Sequence, residues 1–485
     1  MNQFYITSSI PYVNGEPHIG HALEFILADS MARYARELNK QVIFSTGTDE
    51  HGSKIFNKAK ELNLDVLDFV NQTSNQFKEL AKSLNISNNR FIRTTDQNHI
   101  DRVKLIWQKM SKDFYKGKYI GWYCDGDEAY FTDSEVRKMN GICPNHNKPF
   151  QKIEENNYFF PLSKYSERIY QAIVDNKFKI YPAGKRNEML SFLSDGLEDI
   201  SISRPIKKVP WGIEVPGDRT QTIYVWFEAL LNYITVLGYP EHSDFKQYWP
   251  ANIQVVGKDV ARFHAIIFPA MLMNLGLELP QNLYIHGFVG INGKKMGKSL
   301  GNSINPSQII QKYGVDPTRY YFLRHISSSS DGDFSFEAMD EAYNNELANE
   351  LGNLVQRSVV MINKYLNGEI GDIPPPEHDI IPYKRAIEAF HLDQAIDEVF
   401  KQVRSLNQYI DETKPWEIAK QNDQEHLREV LEYLASSILE VAFLLRPFLP
   451  ETAKKIEGIF KSNKLPSKVD LLFLKIEKSK KNEAN

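Results

Sequence analysis

From the N-terminus, short apolar runs alternate with amphipathic stretches. Phe4-Tyr5-Ile6-Thr7 reads as a buried strand, and Leu23, Ile26, Leu27, Met31 and Tyr34 share one face of a helix. Val42-Ile43-Phe44 predicts a second strand. Strand, helix and strand within ~45 residues make a right-handed crossover unit of a parallel sheet, so the expected class is α/β with a Rossmann-like sheet.

From Tyr115 to Arg219 the pattern changes to short aromatic and polar segments, with Trp122, Tyr130, Phe131, Tyr158 and Phe159 among frequent Gly, Asn and Pro. This predicts an inserted, mostly β module. The α/β rhythm then returns, with a helix expected over Thr222 to Gly238, strands at Ile253-Gln254-Val255-Val256 and Leu283-Tyr284-Ile285, and a helix after Asp259. Beyond Asn344 strand signals stop, and Asn345 to Leu366, His391 to Leu406 and Glu425 to Leu445 carry the spacing of a helical bundle. The expected division is 1–114 and 220–290 for the two halves of the sheet domain, 115–219 for the insertion, 291–343 for a Lys-rich loop and its surroundings, 344–470 for the all-α domain and 471–485 for a tail. The last residues, KIEKSKKNEAN, have too few apolar groups to fold and are expected to be loose.

Composition narrows the function classes. The chain has 485 residues, 58 Lys and Arg against 62 Asp and Glu, and a formal net charge of -4. Any nucleic-acid contact must therefore use local patches and shape rather than a bulk positive field. Its 2 cysteines do not make a disulfide framework. With no signal-like N-terminus and no apolar stretch of ~18 residues, a soluble cytoplasmic protein is expected, without a membrane partner.

Between the first strand and the helix lies Pro17-His18-Ile19-Gly20-His21. At a strand-to-helix turn, backbone N–H groups and the positive helix end attract phosphate, Gly20 permits close approach, and His18 and His21, three apart, can face the same phosphates. Gly293-Lys294-Lys295-Met296-Gly297-Lys298-Ser299 interleaves lysines with glycines, suited to a loop closing over a triphosphate. Either motif alone also fits a solvated surface.

Trp226, Ala229 and Tyr233, spaced three and four apart, present an aromatic face with a gap at Ala229, a slot for an unbranched thioether. Core packing accounts for an isolated stripe of this kind as well. Asp49 follows the second strand at the end of the sheet where ligands bind, placed to pair with an α-ammonium or to cap a turn. Cys124-x-x-Asp127 and Cys143-x-x-His146 have knuckle spacing and zinc-competent ligands. In the helical region Asn353 and Arg357 are four apart, and Trp416 follows Pro415 near a helix start, a combination that suits unstacked bases or simple packing.

PHIGH near the N-terminus, KMGKS after an insertion and a helical domain beyond together resemble the class I aminoacyl-tRNA synthetases. PYVNGEPHIGH, GTDEHG, VWFEALLNY, GKDVARFHAIIFPAML and DETKPW bring the resemblance to the methionyl-tRNA synthetase family, over nearly the whole chain. Gly297 stands where that family usually has Ser, while Lys295 and Lys298 are kept.

The resemblance implies ATP bound by His18, Gly20, His21 and Lys298, with His18, His21, Lys295 and Lys298 catalytic and Mg2+ accompanying ATP. It implies methionine bound by Ile10, Tyr12, Asp49, Trp226, Ala229, Tyr233 and His264, with Asp259 in the wall of the site. Asn353, Arg357 and Trp416 would read the anticodon of tRNA(Met). Zn2+ at Cys124, Asp127, Cys143 and His146 stays open, because the family's zinc-bearing members usually place Cys where Asp127 stands and other members have lost the metal.

A synthetase for Ile, Val or Leu is disfavoured, since those families carry an editing insertion of roughly 200 residues, about twice the span seen here. A non-catalytic tRNA-binding protein would be expected to lose a signature residue, and a small nucleotidyltransferase would not need the helical region. The stretch after the bundle is too short for the five strands of an OB fold, so a monomer is expected.

Overall fold

The computed structural model describes residues 2–126, 128–144, 147–295, 303–327, 329–371 and 378–477. It separates into two compact units, one of residues 1–17, 39–82 and 87–286, the other of residues 18–38, 83–86 and 287–485.

The first unit is built on a six-stranded parallel sheet in the order Arg90–Arg93, Gln41–Thr48, Gln3–Ser8, Ile253–Gly257, Asn282–His286, Lys179–Tyr181. Ile6 pairs with both Phe44 and Ile253 in register, and all five residues of Ile253–Gly257 are buried. A parallel strand covered on both faces needs a continuous apolar run rather than alternation, which is the pattern read at Phe4, Val42, Ile253 and Leu283. The chain builds outward from Gln3–Ser8 on one side and later from Ile253–Gly257 on the other. Their carboxyl ends therefore flank a topological switch point, the place where ligands bind in open sheets of this type.

In this unit two features depart from the expected pattern. Lys179–Tyr181 lies inside the stretch expected to be inserted, yet it pairs with Asn282–His286 as an edge of the parallel sheet and is flanked by helices Ser166–Val174 and Ala183–Ser194. Only Ile180 of this strand is buried, too little pattern to stand out. The helix expected over Thr222 to Gly238 is shorter and broken: Thr222 belongs to strand Asp218–Ile223, and the helical turns run Val225–Ala229 and Asn232–Thr235. The rest of the insertion is an antiparallel sheet ordered Ile200–Ser201, Gln151–Phe160, Tyr115–Cys124, Ala129–Phe131, plus a three-stranded sheet of Ser203–Pro205, Asp218–Ile223 and Glu214–Val215.

In the second unit, helix Ile19–Glu37 is buried around most of its circumference through Ala32, more than a single apolar face requires. It packs on helix Val315–Arg324, and the fully buried Asp29 and Arg319 pair at 2.8 Å. Arg319 also donates to the carbonyls of Phe448, Pro447 and Leu84. The bundle follows, with helices Asn353–Leu366, Ile381–Glu388, Leu392–Thr413, Pro415–Lys420, Gln424–Leu445 and Pro450–Phe460. The first residues of the expected 471–485 tail dock as far as Ile476, while most of KIEKSKKNEAN, expected to be loose, lies outside the described residues. Phe473 is buried against Tyr343, and Ile476 exchanges two backbone hydrogen bonds with the Asn344 amide.

Candidate active site

At the switch point of the first unit, the chain beyond Gln3–Ser8 runs alongside the chain beyond Gln41–Thr48. Asp49 N–H donates to the Pro11 carbonyl at 2.9 Å and Val13 N–H to the Asp49 carbonyl at 3.1 Å, so Tyr12 and Asp49 are bridged neighbours. Ile10 and Tyr12 are half-buried. Asp49 is 5% exposed, and among the described residues its Oδ1 has no hydrogen-bond partner. Burial, reinforced by the charges of Glu228 and Glu128, holds the Asp49 carboxyl well above the usual carboxylate range. A carboxylate so placed gains from an incoming cation.

Trp226 stacks on Phe263 with ring centroids 3.9 Å apart, while Ala229 and Tyr233 are buried. The Tyr233 hydroxyl lies 2.6 Å from Nε2 of His264, whose Nδ1 lies 2.9 Å from the Val260 carbonyl. Since a carbonyl only accepts, Nδ1 of His264 carries a proton, and a neutral ring leaves Nε2 to accept from Tyr233. Tyr5 in turn donates to the Tyr233 carbonyl at 2.8 Å. Asp259 lies close to Gly257, where a Cβ would come within 2.6 Å of its Oδ1.

A second set of groups escaped the sequence reading. Glu228, fully buried, faces Nδ1 of His51 at 2.8 Å and Nε2 of His99 at 3.0 Å, and Nδ1 of His99 meets the Thr235 hydroxyl at 2.8 Å. Burial alone would raise the Glu228 carboxyl, but the two imidazoles outweigh it and leave it below its ordinary value. Glu50 accepts both prongs of the Arg93 guanidinium at 2.7 and 2.8 Å, and its carbonyl accepts from Trp211. Glu128 accepts from Tyr12 and Ser53. Glu50 and His51 stand inside the GTDEHG stretch and Glu228 inside VWFEALLNY, so the segments were visible in sequence while the pairing of these groups was not.

In the second unit, His18 caps helix Ile19–Glu37. Gly20 N–H donates to Nδ1 of His18 and His18 N–H to Nδ1 of His21, both at 3.1 Å, and the rings stack 3.8 Å apart. With Nδ1 of each ring accepting, the proton of each neutral imidazole sits on Nε2. The pair thus carries two N–H donors at a helix N-terminus, the arrangement a phosphate needs. Lys294–Lys295 forms a short strand against Val289–Ile291, while Met296 to Asn302, with Lys298, lie outside the described residues. Asn353 is exposed at the start of its helix, Arg357 donates to Asp411 at 2.7 Å, and Trp416 is half-buried.

In the insertion, Cys124 and Cys143 are both buried in one small core with Val136 and Phe150. Asp127 and His146 lie outside the described residues, among which no group of three or more His, Cys, Asp or Glu forms a metal site. Two thiols in one core match half of a tetrahedral zinc donor set.

The family model described as tRNA synthetases class I (M) matches residues 4–155 and 146–359. The methionine–tRNA ligase of Thermotoga maritima is 39% identical over 97% of this chain and 77% of its own length. That of Caldanaerobacter subterraneus is 42% identical over 93% of this chain and 73% of its own. The chain belongs to the methionyl-tRNA synthetases. A solved methionyl-tRNA synthetase of Mycobacterium tuberculosis in complex with methionyl-adenylate superposes with a TM-score of 0.89 at 37% identity, covering 95% of this chain and 94% of that one. The parallel sheet and helical C-terminal region are thus those of a class I methionyl-tRNA synthetase. Trp416 lies beyond the residues that the methionyl-tRNA synthetase family model matches, whereas Asn353 and Arg357 lie within them.

Proposed function

We infer that the chain activates L-methionine with ATP to methionyl-adenylate and then transfers the methionyl group to tRNA(Met). The observation that carries this reading is Asp49, a buried carboxylate with one oxygen unpartnered among the described residues, beside the Tyr12 segment, in a chain whose relatives are methionine–tRNA ligases. The α-ammonium pairs with Asp49, and the thioether lies against Trp226, Ala229 and Tyr233, with Ile10, Tyr12 and His264 completing the pocket. His264 donates Nδ1–H to the Val260 carbonyl, which fixes its ring and turns Nε2 toward the Tyr233 hydroxyl, so Tyr233 is held in place.

In the first step a carboxylate oxygen of methionine attacks the α-phosphorus of ATP and the bond to pyrophosphate breaks. Nε2–H of His18 and of His21 donate to phosphate oxygens as charge builds, Gly20 allows close approach, and Lys295 and Lys298 offset charge on the leaving group. In the second, a hydroxyl of the terminal tRNA ribose attacks the activated carbonyl and AMP leaves. No covalent enzyme intermediate is required. Mg2+ accompanies ATP and neutralises its phosphates.

Asn353, Arg357 and Trp416 serve the anticodon, with residues 344–470 as the tRNA-reading domain. If the knuckle holds zinc, Cys124, Asp127, Cys143 and His146 would be its ligands; the alternative is a knuckle without metal, held by its aromatic residues. Elemental analysis, with loss of the metal in Cys143→Ala, tests that assignment. No helix among the described residues is long and apolar enough to cross a membrane, and the reading includes a cytoplasmic monomer, for which light scattering should report a mass near 56.1 kDa.

ATP–pyrophosphate exchange over a panel of amino acids tests the whole reading. Exchange stimulated by methionine alone is expected. Stimulation by isoleucine, valine or leucine in its place would move the chain to another class I specificity, and exchange with no amino acid would remove the activity.

A further inference from the structure

Glu128 lies at the tip of the inserted module, only 4% exposed, with its backbone in the left-handed region at φ 48°. A non-glycine residue holds that conformation only when its surroundings over-determine it, and here they do. The Tyr224 hydroxyl donates to the Glu128 carbonyl at 2.8 Å, and Lys54 Nζ donates to the carbonyl of Gly126 at 3.1 Å. The carboxylate itself accepts three hydrogen bonds: Tyr12 Oη to Oε2 at 2.7 Å, and Ser53 Oγ and Lys54 N to Oε1, each at 2.8 Å. Helix Ser53–Glu61 has no cap from its own N-cap residue Gly52, so Glu128 supplies that cap from a segment more than seventy positions away. Gly52 sits at φ 118°, and a Cβ there would come within 2.4 Å of both Glu128 Oε2 and Tyr12 Oη. No other residue leaves room for the contact.

We propose that Glu128 is a positioning residue of the amino-acid site, clamping the Tyr12 hydroxyl so that the inserted module sets the wall against which methionine binds. The clamp rests on the reading of Tyr12 as part of the methionine pocket. Its chemistry is simple. A phenol whose proton is committed to Glu128 cannot turn that proton toward the pocket, so Tyr12 shows the thioether an apolar ring.

Glu128→Gln isolates the clamp from the cap. Its one amide oxygen can keep the Ser53 and Lys54 donors, which places the amide NH2 against Tyr12 and removes the acceptor. The experiment measures ATP–pyrophosphate exchange for wild type, Glu128→Gln, Tyr12→Phe and the double variant, with thermal melting of each. The expected result is a KM for methionine raised about tenfold in each single variant, the loss of one charge-assisted hydrogen bond. The KM for ATP should stay at the wild-type value, melting should change little, and the double variant should be no worse than the poorer single one. An unchanged methionine KM in Glu128→Gln, multiplying effects in the double variant, or parallel rises in both KM values with a lowered melting temperature would each overturn the clamp. If the wild type shows methionine-dependent exchange, those outcomes leave the activity reading intact. A wild type without such exchange would overturn the activity and the clamp together.

Discussion

Replacing Asp49 by Asn should weaken methionine binding and stabilise the protein at the same time. Asp49 is buried, its Oδ1 lacks a partner among the described residues, and burial with the nearby Glu228 and Glu128 charges raises its pKa well above 3.8. The folded state therefore holds this proton to higher pH than the unfolded chain does. The stability that Asp49 allows is complete below its unfolded value of about 3.8 and is lost as pH rises through the folded value. Asn, of the same shape and uncharged, removes that loss, and a gain of ~0.5–2 kcal/mol at neutral pH is expected, the usual size of a single stabilising substitution. On the ligand side, breaking a buried ion pair costs ~3–5 kcal/mol, which at about 1.4 kcal/mol per tenfold raises the methionine KM by about a hundredfold to several thousandfold. In the wild type, methionine affinity should rise with pH as Asp49 ionises, and the Asn variant should lose that dependence. Calorimetric melting at pH 5 and pH 8, paired with exchange kinetics at both, reads the two effects together. A variant that melts below wild type at pH 8, or that keeps the wild-type methionine KM, would refute the assignment of Asp49 as a strained partner for the ammonium.

Three further outcomes are expected. Lys298→Ala should slow methionyl-adenylate formation by about 10²- to 10³-fold with methionine affinity nearly unchanged, measured by pre-steady-state activation, because one charged donor acts chiefly on the transition state. Trp416→Ala and Arg357→Ala should each weaken tRNA aminoacylation more than about tenfold while leaving exchange untouched, since one stacking platform is worth ~1–3 kcal/mol; a parallel fall in exchange would return both residues to fold packing. Arg319→Met should cost ~3–5 kcal/mol in denaturant unfolding by leaving the buried Asp29 short of a partner, and Arg319→Met with Asp29→Leu should recover part of that loss, because a buried pair replaced whole is far less costly than one broken.

What the sequence determined by itself was the part of the structure that depends on near neighbours. A parallel strand covered on both faces must be apolar without interruption, so Phe4 to Thr7, Val42 to Phe44 and Ile253 to Val256 were legible as strands, and the spacing in 345–366 and 425–445 marked helices. The PHIGH turn was legible too, because Gly20 and two histidines at a strand-to-helix junction carry their chemistry within one turn. Lys179–Tyr181 was not legible as a sheet strand, since an edge of three residues with one buried side chain has no pattern, and neither was the break in the helix after Tyr224. The docking of Phe473 and Ile476 was hidden by the charged residues that follow them. Tertiary structure alone decided the roles of Glu128 and Glu228 and the surroundings of Asp49. Glu128 reaches Tyr12 across 116 positions, and Glu228 reaches His99 across 129 and His51 across 177. A carboxylate on a half-exposed pattern looks like a solvated surface group until the fold takes it out of water. Only then do desolvation and its few remaining partners set its charge, and with it what Asp49 can bind.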